Sequence, residues 1–212
     1  MDQQATYKAP NGSRRRFLAL GLAALGSLCA PRDVSGRTTA VLSGAPVKPS
    51  RKWTVMLARH HAQAGASHPG DRKWCALLDA LGQLPADDRI FSVNKAVNAV
   101  PYRDDMSNYA VTDHWATPRE FLHRGGDCED FAITKYLALL HSGSPEDRLR
   151  IIVARRPGRP GTHAVAAVQR KAEWYVLDSL NAEPLPLETR ADLRPVYSIS
   201  GSSRWIHTAS QT

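Results

Sequence analysis

The stretch Arg124-Gly125-Gly126-Asp127-Cys128-Glu129-Asp130-Phe131-Ala132 constrains this chain more than any other. A Gly pair makes a tight turn, a lone Cys follows where a helix begins, three carboxylates crowd it, and an apolar run comes next. Unpaired N–H groups at a helix N-terminus stabilise a thiolate, so this is the layout of a cysteine nucleophile. The plainer reading is a buried Cys in a capped helix. The helix is expected from Cys128 to about Leu140, with Asp127 as its N-cap and Asp130 three residues on. Ala132, Ile133, Tyr136, Leu137 and Leu140 face the core, and Phe131, Ala138 and Leu139 make the rest apolar. A helix apolar nearly all round is central and buried. Gly143 and Pro145 end it.

A 212-residue chain that is 42% hydrophobic fits one domain with a normal core plus flanking segments. Its net charge of +8 suggests nucleic acid at first sight, but residues 1–37 hold six basic and two acidic residues, which leaves +4 for the rest. No basic helix with interleaved aromatics occurs there, which argues against a nucleic-acid partner. Cys29, Cys75 and Cys128 match neither a disulfide framework nor a zinc site. A Cys75–Cys128 bridge would silence the nucleophile, so Cys75 is expected to be a small core residue with a free thiol.

Ser13-Arg14-Arg15-Arg16-Phe17-Leu18 precedes an uncharged run from Leu18 to Leu28, too short to span a bilayer comfortably. A basic patch before a short apolar segment reads as a signal peptide, and the Arg pair with Phe and Leu behind it resembles a twin-arginine export signal. An uncleaved amphipathic anchor is the alternative. Leu28 is bulky for a lipoprotein site at Cys29, and cleavage is expected between Ala30 and Gly36. The chain therefore divides into an export signal over 1–36, a linker with early loops over 37–70, and one domain over 71–212. Its expected location is the periplasm.

Within the linker, Arg51 to Leu57 suits a strand or short helix, and His60, His61 and His68 read as a solvated surface rather than a metal site. Trp74, Leu77, Leu78 and Leu81 mark one face of a helix that Gly82 and Pro85 stop. Arg89 to Val100 is a second helix, and Pro101 to Asp105 a loop. Thr117-Pro118-Arg119-Glu120 opens a short third helix with a capping box. After the Cys-bearing helix the period changes. Arg150–Ala154, His163–Val168 and Trp174–Asp178 read as strands, and Val196–Ile199 as an edge strand.

If the strands around Gln169–Glu173 form a hairpin with a symmetric turn about Arg170-Lys171, residues whose numbers sum to 341 oppose each other, and His163 meets Asp178. Opposed side chains share a face with Cβ atoms about 4.5–5.5 Å apart. A carboxylate there can fix the His tautomer and stabilise the imidazolium. A one-residue bulge would break this pairing. Cys128, His163 and Asp178 together fit a thiol nucleophile, its base and an orienting acid. Asp127, Glu129 and Asp130 oppose them by raising the thiol pKa. A cation that neutralised these acids would help, and calcium, whose ligands are oxygens, is the natural one. Alternatively the acids only cap the helix. The Cys128 N–H is one expected oxyanion donor, with Asn98 or Trp115 as candidates for the second.

Asp113-His114-Trp115-Ala116-Thr117-Pro118, Gly126-Asp127-Cys128-Glu129-Asp130-Phe131-Ala132 with Lys135-Tyr136, His163-Ala164-Val165, Leu177-Asp178 and Tyr197-Ser198 resemble the bacterial transglutaminase-like cysteine proteinases of the periplasmic LapG type. The resemblance runs from about Trp74 to Ile199 and departs at Ser179, where Asn is expected. It implies a papain-like or transglutaminase-like α+β fold in which N-terminal helices and a central Cys-bearing helix pack on a small antiparallel sheet. It implies a triad of Cys128, His163 and Asp178, and calcium held by Asp127, Glu129 and Asp130. It further implies a protein substrate, a large surface adhesin cut to release biofilm cells, and an inner-membrane cyclic di-GMP receptor that sequesters the protease. The same triad would also serve an acyltransferase or amidase acting on cell-wall peptide. A non-catalytic calcium-binding module is the competing class, and the intact Cys, His and Asp set argues against it.

Overall fold

The computed structural model describes residue 42 and residues 45–207. The export segment and Cys29 lie outside the described residues. In chain order the elements are β1 (Pro46–Val47), α1 (Arg51–Ala62), α2 (Asp71–Gly82), α3 (Ala86–Asn98), α4 (Asp105–Tyr109), α5 (Pro118–Arg124), α6 (Cys128–His141), β2 (Leu149–Arg155), β3 (Thr162–Arg170), β4 (Glu173–Leu177), β5 (Leu185–Pro186), β6 (Arg194–Ser200) and β7 (Ser203–Ile206). Short 3₁₀ turns cover Glu146–Arg148 and Leu187–Thr189. The strands form one antiparallel sheet in the order β1-β7-β6-β2-β3-β4-β5. This is the α+β arrangement expected.

Strand alternation divides the interior into two layers. Ile151, Val153, Ala164, Ala166 and Val168 join α6, Trp53, Trp74 and Phe121 in the main core. Ile152, Ala154, Val165, Ala167, Trp174 and Val176 face the other way, against Leu187 and Leu193. Alanine at 164 and 166 keeps the α6 side of β3 thin, so the helix can approach it closely. Residues Phe131 to Leu139 of α6 are all buried, as its all-round apolar sequence requires. Even Lys135 is enclosed.

Three expectations are corrected, for His60, Val196–Ile199 and Cys75. Residues 51–62 form α1, the helical one of the two readings of Arg51–Leu57, extended to Ala62. Ser50 caps it, Trp53, Met56 and His60 face inward, and Trp53 Nε1 donates to Gly201 O at 2.8 Å. His60 is therefore buried rather than solvated, 3.2 Å from His141 through their Nε2 atoms. Val196–Ile199 does not form an edge. Ser200-Gly201-Ser202-Ser203 makes a two-residue hairpin with Gly201 at φ +51, and the returning β7 covers β6. Cys75 is exposed on α2, not in the core, because Trp74 and Leu81 are the buried residues of that helix. Its thiol is free, as is that of Cys128.

Candidate active site

Cys128 opens α6 at the end of a turn that tolerates only glycine. Gly125 has φ +85, and a Cβ there would meet Pro101 O at 2.4 Å. A Cβ on Gly126 would meet Asp130 Oδ2 at 2.2 Å. The 101–103 segment lies against this turn, with Arg103 N donating to Gly126 O at 2.9 Å. That contact carries the following acidic loop over the start of α6. Immediately before the turn, α5 has the capping box expected of it: Glu120 N donates to Thr117 Oγ1 at 3.3 Å and Thr117 N to Glu120 Oε2 at 2.9 Å.

The sulfur borders a cavity of about 260 Å³ shared with Trp115, Val153, Thr162, Ala164 and Tyr197. The thiol donates to Glu129 Oε2 at 3.2 Å, and the Ala164 N–H lies near enough to the sulfur to favour the thiolate. Burial first and the Glu129 charge second push the thiol far above its ordinary range, and the Ala164 N–H pulls it back only in part.

His163 immediately precedes that peptide, and its Nε2 lies 2.7 Å from Asp178 Oδ1. Asp178 is wholly buried. Its Oδ1 also accepts Leu180 N at 3.0 Å, and its Oδ2 accepts Arg190 Nη2 at 2.8 Å. Burial alone would raise this carboxyl, but the bond and charge of His163 and then Arg190 outweigh it and hold it well below the usual carboxylate range. Arg190 is in turn gripped by both oxygens of Asp192, at 2.7 and 2.9 Å. With Nε2 committed to Asp178, Nδ1 is the ring nitrogen left for another partner. Among the described residues no hydrogen bond joins the ring to the sulfur. The structure brings His163 and Asp178 together and sets Cys128 against the peptide next to them.

The pairing was reached by a different register from the one expected. The β3–β4 turn is Lys171-Ala172, with Lys171 at φ +54, so opposed residues sum to 343: Ala166 faces Leu177 and Arg170 faces Glu173. A slip of two keeps every side chain on its face. His163 and Asp178 thus remain neighbours on a diagonal.

Asn98 is not placed to hold an oxyanion. Its Nδ2 donates to Asp178 O at 3.0 Å and Asn181 O at 2.9 Å, behind the acid. Asn94 Nδ2 donates to Asn181 O and Ala182 O at 3.0 and 2.8 Å. From the other side, Lys135 Nζ donates to Leu177 O at 3.3 Å. Burial lowers this ammonium to about 7, against the pull of Asp178. Three side chains therefore pin the segment that carries Asp178. Trp115, the other oxyanion candidate, does line the thiol cavity.

The acids beside Cys128 are more numerous than the sequence turn suggests. Ligand-capable atoms of Asp105, Asp127 and Asp130 lie within 4.8 Å of one another, as do those of Asp105, Asp113 and Glu129, and of Asp127, Cys128 and Glu129. Burial, then Glu129 and Asp130, pushes Asp127 up to about 9, and burial also raises Asp105 and Asp130. Asp130 already uses both oxygens, Oδ1 accepting Ala116 N at 2.7 Å and Oδ2 accepting Asp127 N at 3.3 Å. Asp105 Oδ1 and Asp127 Oδ1 are buried without any partner. Orphaned carboxylate oxygens in an excess of negative charge are the donor set a hard cation takes, so the residues fit calcium. Asp105 escaped the sequence reading. Its signal was the Asp104-Asp105 pair: Asp104 caps α4 by accepting Ser107 N at 2.9 Å, which leaves Asp105 to turn inward.

A family model described as bacterial transglutaminase-like cysteine proteinase BTLCP matches residues 83–207. The chain belongs to the bacterial transglutaminase-like cysteine proteinases. It is a cysteine peptidase with their fold. Calcium-bound LapG of Legionella pneumophila is 34% identical over 74% of this chain and 91% of its own, with a TM-score of 0.59. EGTA-treated LapG of the same organism is 30% identical over 78% and 90%, also at 0.59. Among curated protein sequences no significant match was found. For a transglutaminase-like cysteine proteinase the protein substrate follows from the family, and the thiol cavity is the place where its members' nucleophile is to be sought.

Proposed function

We propose that this chain is an exported, calcium-dependent cysteine endopeptidase with Cys128 as nucleophile, His163 as base and Asp178 as the acid that orients it. The observations that support the reading are the hydrogen-bonded chain Arg190–Asp178–His163 and a Cys128 sulfur that shares its cavity with Ala164, the residue after His163. Asp178 takes the Nε2 proton in a hydrogen bond and so leaves the Nδ1 lone pair as the base. His163 accepts the thiol proton, the sulfur attacks the scissile carbonyl, and the Cys128 N–H holds the oxyanion. The ring then gives its proton to the leaving amine as the C–N bond breaks. Water adds to the thioester, His163 taking its proton, and the C–S bond breaks to return the thiol.

Asp105, Asp127 and Glu129 would hold calcium, with Asp113 near and Asp130 as their buttress. Bound there, calcium supplies positive charge that offsets the acids now raising the thiol pKa. The LapG structures described as calcium-bound and EGTA-treated support this assignment. The residues 13–30 support export through a twin-arginine-like signal to the periplasm. Likeness to the family supports a large surface adhesin as substrate, cleaved to control biofilm attachment, and a membrane cyclic di-GMP receptor as the partner that sequesters the protease.

The test is to incubate the purified protein with the N-terminal region of the host's large surface adhesin. One cut is expected in calcium, none after chelation, and none with Cys128→Ala or His163→Ala. Iodoacetamide should label Cys128 rapidly and lose at least tenfold in rate in His163→Ala. Equal labelling of the two proteins would remove His163 from the role of base.

A further inference from the structure

A second cavity, about 520 Å³, lies beside the thiol cavity and shares Thr162 with it. Arg155, Arg156, Arg159 and Arg194 line it. Its position follows from the sheet. Thr162, Arg155 and Arg194 oppose one another across β3, β2 and β6, so their side chains leave the same face. Along β2 and β3 that is the face of Val153 and Ala164, which line the thiol cavity. The arginines thus continue the surface of the nucleophile's cavity, one alternate residue further out. Arg155, Arg159 and Arg194 are exposed and have no acidic partner among the described residues. Asp192 lies 3.8 Å from Arg156 Nε, too far for a hydrogen bond, and both its oxygens already serve Arg190. The Arg156 Nε is buried with no hydrogen-bond partner. Three of the four guanidinium groups that line this cavity have no acidic partner among the described residues, and the fourth has only the shared Asp192, so an anionic ligand would find charge and hydrogen-bond donors unused.

We propose that this groove is a specificity site that receives an acidic stretch of the protein substrate. The inference rests on the peptidase reading for its place in catalysis. From Val153 in the thiol cavity, Arg155 is two residues along β2 and Arg194 one further strand across, so the groove begins roughly 7–10 Å from that cavity. An extended peptide spans that in about three residues, so Asp or Glu is preferred about three or four residues from the cleaved bond. The planar guanidinium forks suit carboxylates in pairs, and a neutral segment leaves them unpaired.

Two measurements test it. The first uses the Cys128→Ala protein and fluorescein-labelled decapeptides, one glutamate-rich and one with glutamine in its place. Fluorescence anisotropy should show at least tenfold tighter binding of the glutamate peptide, weakened severalfold between 50 and 300 mM salt (about a twofold shorter screening length). Arg159→Glu/Arg194→Glu should abolish the preference, and Arg159→Ala/Arg194→Ala should reduce it at an unchanged melting temperature. Equal binding of the two peptides, an unchanged preference in both variants, or competition by polyphosphate with no binding of the glutamate peptide would each overturn the site. The second reads cut positions in a random peptide library by mass spectrometry, where acidic residues should be enriched three or four positions from the cut and the enrichment lost in the charge-reversed variant. Cuts without that enrichment would overturn the proposal. Binding of the glutamate peptide without any cut in the wild type would instead sustain the groove and count against the peptidase reading.

Discussion

A fully buried aspartate needs both its oxygens satisfied, and Asp178 has His163 on one and Arg190 on the other. Removing Arg190 leaves a buried charge half-paired, which costs about 3–5 kcal/mol. Arg190→Met is therefore expected to lower the urea-unfolding free energy by about that much. Adding Asp178→Asn should restore part of the loss, because the uncompensated charge goes with it. If the double variant is as unstable as the sum of the two single ones, the pair is not coupled as described. The sequence showed His163 and Asp178 but not Arg190. Strands alternate with a period of two, so even a register misjudged by two residues kept the pair on one face. Arg190 lies twelve residues beyond Asp178 in a segment of turns, where no period exists to place a side chain. Asp105 was hidden for a similar reason: it opens a five-residue helix, too short for a period to show, and its direction is set by the turn it packs on.

At the scale of elements, the helices with a strong apolar stripe and a capping signal were legible, and α1 only as a strand or short helix over its first turns. Its inward face is Trp53, Met56 and His60, and a stripe that ends in histidine among Arg59, His60 and His61 looks like a surface. What buries His60 is His141 at the far end of α6, with Trp74 edge-on to both rings. A single Nε2–Nε2 hydrogen bond needs one ring to accept, so the pair cannot both be charged and keep it. Burial first, then His141, Arg119 and His61, lowers His60 to about 4 from its ordinary 6.5. The sign follows from proton counts. Between pH 6.5 and 4 the unfolded ring carries a proton and the folded one does not, so stability is full above 6.5 and falls as pH drops toward 4. The loss is at most about 3 kcal/mol over that window. Urea midpoints of the native protein and His60→Phe at pH 7 and 4.5 check this. The native protein should lose the more stability, and parallel losses would show that the His60 proton is not the cause.

For the molecule as a whole, the acids of the 104–113 loop and of the α6 start belong to segments far apart in the chain, joined where Arg103 N meets Gly126 O. A cation held by Asp105, Asp127 and Glu129 would tie those segments together in the folded state alone. Unfolding scatters the ligands, so binding energy becomes stability. At a hundred times its dissociation constant, calcium should add about 2.7 kcal/mol. For a chain of this length that is about 2–4 °C per kcal/mol, or roughly 5–10 °C in melting temperature. Magnesium should do much less, since it requires near-ideal octahedral geometry and gives up water reluctantly. Asp105→Asn and Asp127→Asn should each remove most of the calcium shift. They should also raise the melting temperature of the chelated protein, because an amide neither bears the charge nor needs the proton that a crowded, buried carboxyl does at neutral pH. Asp130→Asn should behave differently and destabilise the protein with or without calcium, because its oxygens already hold Ala116 and Asp127. An Asp105→Asn protein that keeps the whole calcium shift would confine the site to the α6 turn. The two segments would then be joined without the cation, by contacts such as the Arg103–Gly126 and Asn108–Gly125 hydrogen bonds.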